Sequence, residues 1–314
     1  MKNVGNAVKV YAPASVGNMV VGFDILGFAV NAPGDEVIAR KGERKGLHIT
    51  KIFGDKKNLL PKIVERNTAG LGALELLKFL GMQDECIDLE IYKKMPFGSG
   101  MGSSAASAAA GVMAINELLG RPLSKKELAR FAIIGESAAD GAMHGDNVLP
   151  SLLGGIVLIR DNKTYDFVSL PVPKGLSVFL IYPHIEILTR EARGVLGDTV
   201  SLNKVIAQTG NIASLVTSLF NSDFDLLKRS LVDHIIEPQR AKLIPHFYEL
   251  KDIALSLGAL NYSISGAGPS MFGFALNNVI AEEITTSISS WLHNKGIRTN
   301  TYISPINTTG AYKM

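Results

Sequence analysis

The run Pro96-Phe97-Gly98-Ser99-Gly100-Met101-Gly102-Ser103-Ser104-Ala105-Ala106 carries the residue types best placed for chemistry. Its glycines alternate at Gly98, Gly100 and Gly102. Glycine accepts positive φ, so neighbouring backbone N–H groups can turn toward one point. Small residues continue to Ala110 and favour a helix whose N-terminal end lies at the loop. Exposed amides and the positive end of a helix dipole together suit a phosphate group. Ser103 and Ser104 add hydroxyls that can reach a phosphate oxygen or its magnesium ion. A tight turn before a closely packed helix would use the same residues, so the rest of the chain must arbitrate. Two familiar phosphate loops are excluded. A Walker loop needs a lysine where Gly102 stands, and a dinucleotide fingerprint needs a glycine where Ser103 stands.

Other patterned segments accompany this one. Ala12-Pro13-Ala14-Ser15-Val16-Gly17-Asn18 leads into Gly22-Phe23-Asp24-Ile25-Leu26-Gly27, and Ser263-Ile264-Ser265-Gly266-Ala267-Gly268-Pro269-Ser270 lies near the far end. Glu136 precedes His144-Gly145-Asp146-Asn147-Val148, followed by Thr189-Arg190-Glu191-Ala192-Arg193 and Glu237-Pro238-Gln239-Arg240. The glycine loop and the two outer motifs, in this order and spanning nearly the whole chain, resemble the signatures of the GHMP kinases. Asn18, Gly22-Phe23-Asp24 and the three later segments resemble the branch of that family that acts on an amino-acid alcohol, L-homoserine. Gln239 departs from the pattern, where tyrosine is more usual.

The resemblance implies an α+β, two-domain GHMP kinase fold. Its N-terminal domain would be of the ribosomal protein S5 domain 2-like type, its C-terminal domain ferredoxin-like, with the site in the cleft between them. It implies ATP-dependent phosphorylation of the L-homoserine side-chain hydroxyl to O-phospho-L-homoserine, in threonine biosynthesis. ATP would lie on residues 96–106, with Asn58 of Asn58-Leu59-Leu60 near adenine and the Gly266–Ser270 motif packed against the loop. Ser104 and Glu136 resemble the pair that holds Mg2+. Arg193 and Arg240 would grip the substrate carboxylate, a task suited to the planar guanidinium fork. Asp24, assisted by Asn18, would receive the ammonium. Asn147 stands where several relatives carry an aspartate base. An amide takes no proton at neutral pH, so Asn147 is expected to align the hydroxyl while the proton leaves late to the phosphate. Asp146 is open to two roles, base or support for magnesium and the loop. His144, in the substrate pocket, is open to two as well, hydrogen bonder or catalyst. The catalytic set expected is Asn147, Asp146 and Arg193.

Composition is compatible with this. A chain of 314 residues exceeds the usual single-domain size. Lys and Arg number 32 against 29 Asp and Glu, a net charge of +3 without a basic stretch, so no nucleic-acid partner is expected. Cys86 is the one cysteine, which fits a reducing cytoplasm and rules out an internal disulfide. No signal peptide is read at the N-terminus, and the apolar run around 104–115 is too short and alanine-rich to span a membrane. The scattered histidines form no zinc pattern. A homodimer is the expected state.

The elements that must position these residues follow from periodicity. Strands are predicted at 8–11, 35–40, 47–52, 87–93, 154–159 and 176–182. Leu71, Leu74, Leu77 and Leu80 mark a helix from Asn67 that Gly81 closes. Ser124 and Glu127 form a capping box for another helix, and further helices are expected near 200–220, 223–235 and 245–257. Pro238 should interrupt a helix and turn Arg240 inward. The stretch 171–175 marks the junction between an ATP-binding domain, 1–170, and a ferredoxin-like domain, 171–314.

Overall fold

The alternation that begins at Ala7 does build a strand, and it runs further than expected. Strand β1 (Ala7–Gly17) pairs antiparallel with β2 (Leu26–Lys41), and a register shift between Pro13 and Ser15 lets both continue past the proline. The computed structural model describes residues 6–55, 58–140, 145–187 and 189–314. Strand β3 (Leu47–Phe53), helix α1 (Thr68–Phe79) and strand β4 (Ile87–Tyr92) follow. Next come helices α2 (Ser103–Leu118), α3 (Lys125–Asp140) and α4 (Gly145–Leu153), then the hairpin β5 (Ile156–Asp161) and β6 (Asp166–Leu170). These strands form one sheet in the order β1-β2-β4-β3, with β5 paired to the first part of β2 and β6 to β5.

Strand β7 (Ser177–Pro183) opens a second, antiparallel sheet. Helices α5 (Thr189–Gly194), α6 (Leu202–Asn221), α7 (Phe224–Ser230), α8 (Glu237–Arg240) and α9 (Phe247–Ser256) come before strands β8 (Ser263–Ile264) and β9 (Met271–Ala275). Helix α10 (Asn278–Asn294) and strand β10 (Thr299–Ser304) complete it, in the order β10-β7-β9-β8. The last strand, β11 (Tyr312–Lys313), returns to the first sheet beside β1. Phe28 of β2 meets Phe272 and Phe274 of β9, with ring centroids 5.6 and 5.3 Å apart, so aromatic packing joins the sheets. Among the described residues no helix is long and apolar enough to cross a membrane.

Local chemistry accounts for the boundaries. Asn67 caps α1, its side-chain oxygen accepting from the N–H groups of Ala69 and Gly70. Ser124 and Glu127 close the expected capping box at α3. The helix predicted over 223–235 ends at Ser230. Beyond it the Asp233 carboxylate accepts from the N–H groups of Ile235, Ile236 and Glu237, holding a turn that leads into α8. Pro238 therefore lies in the first turn of α8, starting that helix and not interrupting one. Helix α4 escaped prediction because it is short and contains Pro150.

Helix α2 decides the architecture. All of its residues except Ser104 are buried. Its alanines allow this crowding, and Gly111 sets the approach of α1: a Cβ there would lie 2.4 Å from the Ala69 carbonyl oxygen. Gly111→Ala is expected to destabilise the protein by about 1–3 kcal/mol, the usual range for overpacking, as a shift in the urea midpoint at unchanged m-value.

Candidate active site

Beneath the glycine loop lies a buried ion pair. Asp35 on β2 and Lys93 just past β4 are both buried, and the Lys93 ammonium bonds the Asp35 carboxylate directly. Lys93 also donates to the Ser103 carbonyl oxygen and the Ser107 hydroxyl, each at 2.7 Å. Asp35 accepts from the Ser103 and Ser107 hydroxyls at 3.0 and 3.1 Å, and from the N–H groups of Lys94 and Met95 at 2.8 and 3.3 Å. The first turn of α2 and the strand exit that carries the loop thus hang on one carboxylate. The sequence places both residues only as the ends of predicted strands, 35–40 and 87–93, with no role in the site. The local sequence carries little signal, because Asp35 is followed by Glu36 in the same strand and Lys93 by Lys94.

The loop is clamped on both sides. Gly98, Gly100 and Gly102 have φ of +59°, +76° and +66°, the left-handed region expected for them. A Cβ on Gly100 would lie 2.5 Å from the Ser265 carbonyl oxygen, and one on Gly102 would lie 2.2 Å from the Ser15 hydroxyl. Ser270 N–H donates to the Ser99 carbonyl at 3.1 Å, the Ser265 hydroxyl to the Gly100 carbonyl at 2.6 Å, and Ser15 N–H to the Met101 carbonyl at 3.1 Å. The expected packing of the Gly266–Ser270 motif on the loop is therefore present. Across the N-terminus of α2, the Ser104 hydroxyl donates to the Glu136 carboxylate at 2.5 Å.

The charged groups expected at the substrate end come together too. Asn18 accepts from Asp24 N–H at 3.1 Å and donates to the Gly266 carbonyl at 2.9 Å. The Arg193 guanidinium grips the Asp24 carboxylate with both terminal nitrogens, at 3.1 and 3.2 Å. Arg240 donates to the carbonyls of Ala192 and Gly266, each at 2.9 Å, over the Phe23 ring. Burial, then the nearby Arg193 charge, lowers the Arg240 pKa. Glu237 of the same segment stays out of the site and bonds Lys251 and Ser263, anchoring α8. Gln239 accepts from Gly197 N–H at 2.9 Å, a structural task consistent with its departure from the family pattern.

Between the two ends lie Asp146 and Asn147. The Ser15 hydroxyl donates to Asn147 Oδ1 at 3.1 Å, and Asn147 Nδ2 lies 3.5 Å from Asp146 Oδ2. Burial, then the charge of Asp24, pushes the Asp146 carboxyl up to about 7, against the opposing Asn18 N–H and Arg193.

One cavity of about 910 Å³ is lined by Asn18, Asp24, Phe97, Gly98, Ser99, Gly100, Gly102, Ser103, Ser104, Glu136, Asp146, Asn147, Arg193 and Arg240. Pro96, Met101, Ala105, Ala106 and Asn58 are not on its lining; Met101, Ala105 and Ala106 face the core, and Leu59, Leu60 and Pro61 line the cavity beside Asn58. His144 lies outside the described residues. Lys93, Arg190 and Gly266 line the cavity without having been singled out as site residues, and Ser15 acts through Asn147.

Comparison with known proteins follows the same lines. Residues 67–155 match the GHMP kinases N terminal domain, and residues 215–294 match GHMP kinases C terminal. The chain is 44% identical over 314 residues to a homoserine kinase of Chlorobium phaeobacteroides (strain BS1), covering 96% of this chain and 97% of that protein. It is 43% identical over 312 residues to a homoserine kinase of Chlorobaculum tepidum, covering 96% of each. The crystal structure of a homoserine kinase from Cytophaga hutchinsonii superposes with a TM-score of 0.97 at 44% identity, over 100% of this chain and 99% of that one. Mevalonate kinase of Methanococcus jannaschii shares the fold at a TM-score of 0.71 and 15% identity, over 96% and 99% of the two chains.

Two predictions follow from the charges. Asp35→Ala leaves Lys93 buried without its carboxylate and should cost about 3–5 kcal/mol in urea unfolding. Asp146 has a pKa raised from 3.8 to about 7, so the folded state favours its protonated form and ionisation opposes folding. Its penalty is absent below the ordinary carboxylate range, grows as pH rises toward 7 and is complete above it. Asp146→Asn should therefore gain stability relative to the parent across that window in a pH series of urea midpoints, and hold the gain above it.

Proposed function

This chain belongs to the GHMP kinase family, and on that premise we propose that it transfers the γ-phosphoryl group of ATP to the side-chain hydroxyl of L-homoserine, giving O-phospho-L-homoserine for threonine biosynthesis. The observation that carries this reading is a single cavity with a helix N-terminus at one end and the Asp24, Arg193 and Arg240 charges at the other. The first end suits a triphosphate, the second a zwitterionic amino acid.

Phosphoryl transfer asks mainly for in-line positioning and neutralisation of charge. The N–H groups from Gly98 to Ser104 and the α2 dipole hold the phosphates. Ser104 and Glu136 offer a hydroxyl and a carboxylate 2.5 Å apart, the hard oxygen donors that Mg2+ accepts while drawing its other ligands from phosphate and water. Bound there, the ion would neutralise charge on the phosphate oxygens. Arg240 and Arg193 bind the substrate carboxylate, and Asp24 with Asn18 binds its ammonium. Asn147 has its oxygen committed to the Ser15 hydroxyl, so its amide N–H is what it presents to the substrate hydroxyl. Asp146, with its pKa pushed up to about 7, is in its ionised form the adjacent group able to accept the hydroxyl proton.

The same reading divides the chain at 170/171 into an ATP-binding part and a ferredoxin-like part, supported by the two sheets, with β11 crossing back to the first. A homodimer in the cytoplasm completes the proposal, the latter supported by the single cysteine.

The decisive assay is ADP release with Mg-ATP and L-homoserine, run beside D-homoserine, mevalonate and buffer. Turnover on L-homoserine alone is expected; turnover on mevalonate instead would overturn the amino-acid site. Arg240→Ala should raise the L-homoserine KM at least about tenfold, near the low end for losing one partner of a desolvated charge pair, and an unchanged KM removes Arg240 from the site. Asp146→Asn should lower kcat by about 10²–10⁴, the range of a general base. Survival of most activity would instead leave the proton to depart with the phosphoryl group.

A further inference from the structure

The two residues assigned to opposite charges of the substrate hold each other in this structure. Arg193 meets Asp24 through two parallel N–H···O bonds at 3.1 and 3.2 Å, the geometry arginine adopts with a ligand carboxylate. Asp24 is held in place for this. Its backbone has φ of +60° and its N–H is tied to the Asn18 side chain. The pair lines the cavity and is partly screened, the Asp24 and Arg193 side chains being 25% and 38% exposed. Among the described residues, Asp146 and Arg240 also face it, and Arg190 lines the same cavity. Both guanidinium groups stand over the Phe23 ring, at 5.7 and 4.9 Å from its centroid, within range of cation–π attraction.

Resting on the reading of this cavity as an L-homoserine site, we propose that the Asp24–Arg193 pair is an internal stand-in for the two charges of the substrate, and that it sets selectivity by exchange. The incoming α-carboxylate takes Arg193 from Asp24 while the α-ammonium takes Asp24 from Arg193. The Asp24–Arg193 pair is thereby exchanged for one ion pair at each residue, beside the carboxylate's contact with Arg240. A hydroxy acid without an ammonium breaks the same pair but gives Asp24 no cation in return. An amino alcohol without a carboxylate gives Arg193 no anion. Each partial ligand thus loses its missing contact and also bears the cost of the broken pair. The site selects for a zwitterion through charge alone, without a steric filter against hydroxy acids.

Exchange makes a counterintuitive demand: deleting one partner must improve binding of the matching partial ligand. Titration calorimetry in 0.5 M KCl tests this, since screening there confines charge effects to roughly 4 Å, contact range. The probes are L-homoserine, 4-hydroxybutyrate and 3-amino-1-propanol, against the parent, Asp24→Asn and Arg193→Gln. We expect 4-hydroxybutyrate to bind Asp24→Asn about fivefold more tightly than the parent, as loss of a partly exposed pair allows. L-homoserine should bind that variant at least about tenfold more weakly. 3-Amino-1-propanol should show the mirror gain with Arg193→Gln. Equal or weaker binding of 4-hydroxybutyrate to Asp24→Asn overturns the exchange. ATP affinity reports whether each variant is folded. If either is not, the parent crystallised with L-homoserine decides: Asp24 and Arg193 apart, each on the ligand, supports exchange, and an intact pair overturns it. Turnover of L-homoserine by the parent is the separate control. Its absence rejects the proposed function, whereas turnover with an intact pair rejects exchange alone.

Discussion

The Asp35–Lys93 pair is the interaction on which the rest of this molecule depends. A buried ion pair gains little over well-packed apolar residues, because both ions must be taken out of water. Its value lies in geometry. The Lys93 ammonium finds three acceptors and the Asp35 carboxylate accepts from two hydroxyls and two backbone N–H groups besides, so little hydrogen-bonding capacity remains unused. Only one placement of the first turn of α2 satisfies all of these at once. The same bonds fix where the chain leaves β4, and therefore where the glycine loop begins.

From that foundation the cavity divides its labour by the charge it must meet. At the glycine-loop end the positive potential comes mainly from backbone amides and a helix dipole, which suit an anion of many oxygens. At the other end it comes from the side chains of Arg193 and Arg240, whose planar guanidinium groups can orient a ligand as well as hold it. The Gly266 carbonyl joins the two ends: it accepts from both Asn18 and Arg240, in a motif whose neighbour Ser265 bonds the loop carbonyl of Gly100. Displacement of the loop is thereby coupled to the Asn18 and Arg240 side chains. Asp146 lies between these ends, and its shifted titration follows from that position, buried and beside a second carboxylate.

Much of the site was legible in sequence because its chemistry is local. Positive φ at Gly98, Gly100 and Gly102, the capping box at Ser124 and the cap at Asn67 each depend on a few neighbouring residues. The family motifs also brought Asn18, Asp24, Glu136 and Arg240 into view, although they are far apart in the chain and share one cavity. The end of α7 was misjudged for a different reason. Asp233 caps the following turn, and a periodic apolar pattern does not reveal which way a carboxylate will turn. Asp35 and Lys93 each stand beside a like residue, Glu36 and Lys94, and only the fold decides that the first of each pair is buried with the other.

By itself the sequence determined the residue types, the glycine spacing that permits the loop, the small-residue helix behind it and the family to which the chain belongs. Tertiary structure decided which charges meet. Asp24 and Arg193 are 169 positions apart, Asp35 and Lys93 are 58, and Ser15 and Asn147 are 132. Pairing at such separations is set by sheet register, helix packing and burial, which act only once the chain has folded. The composition of the site was thus written locally, whereas its electrostatic wiring is a property of the fold.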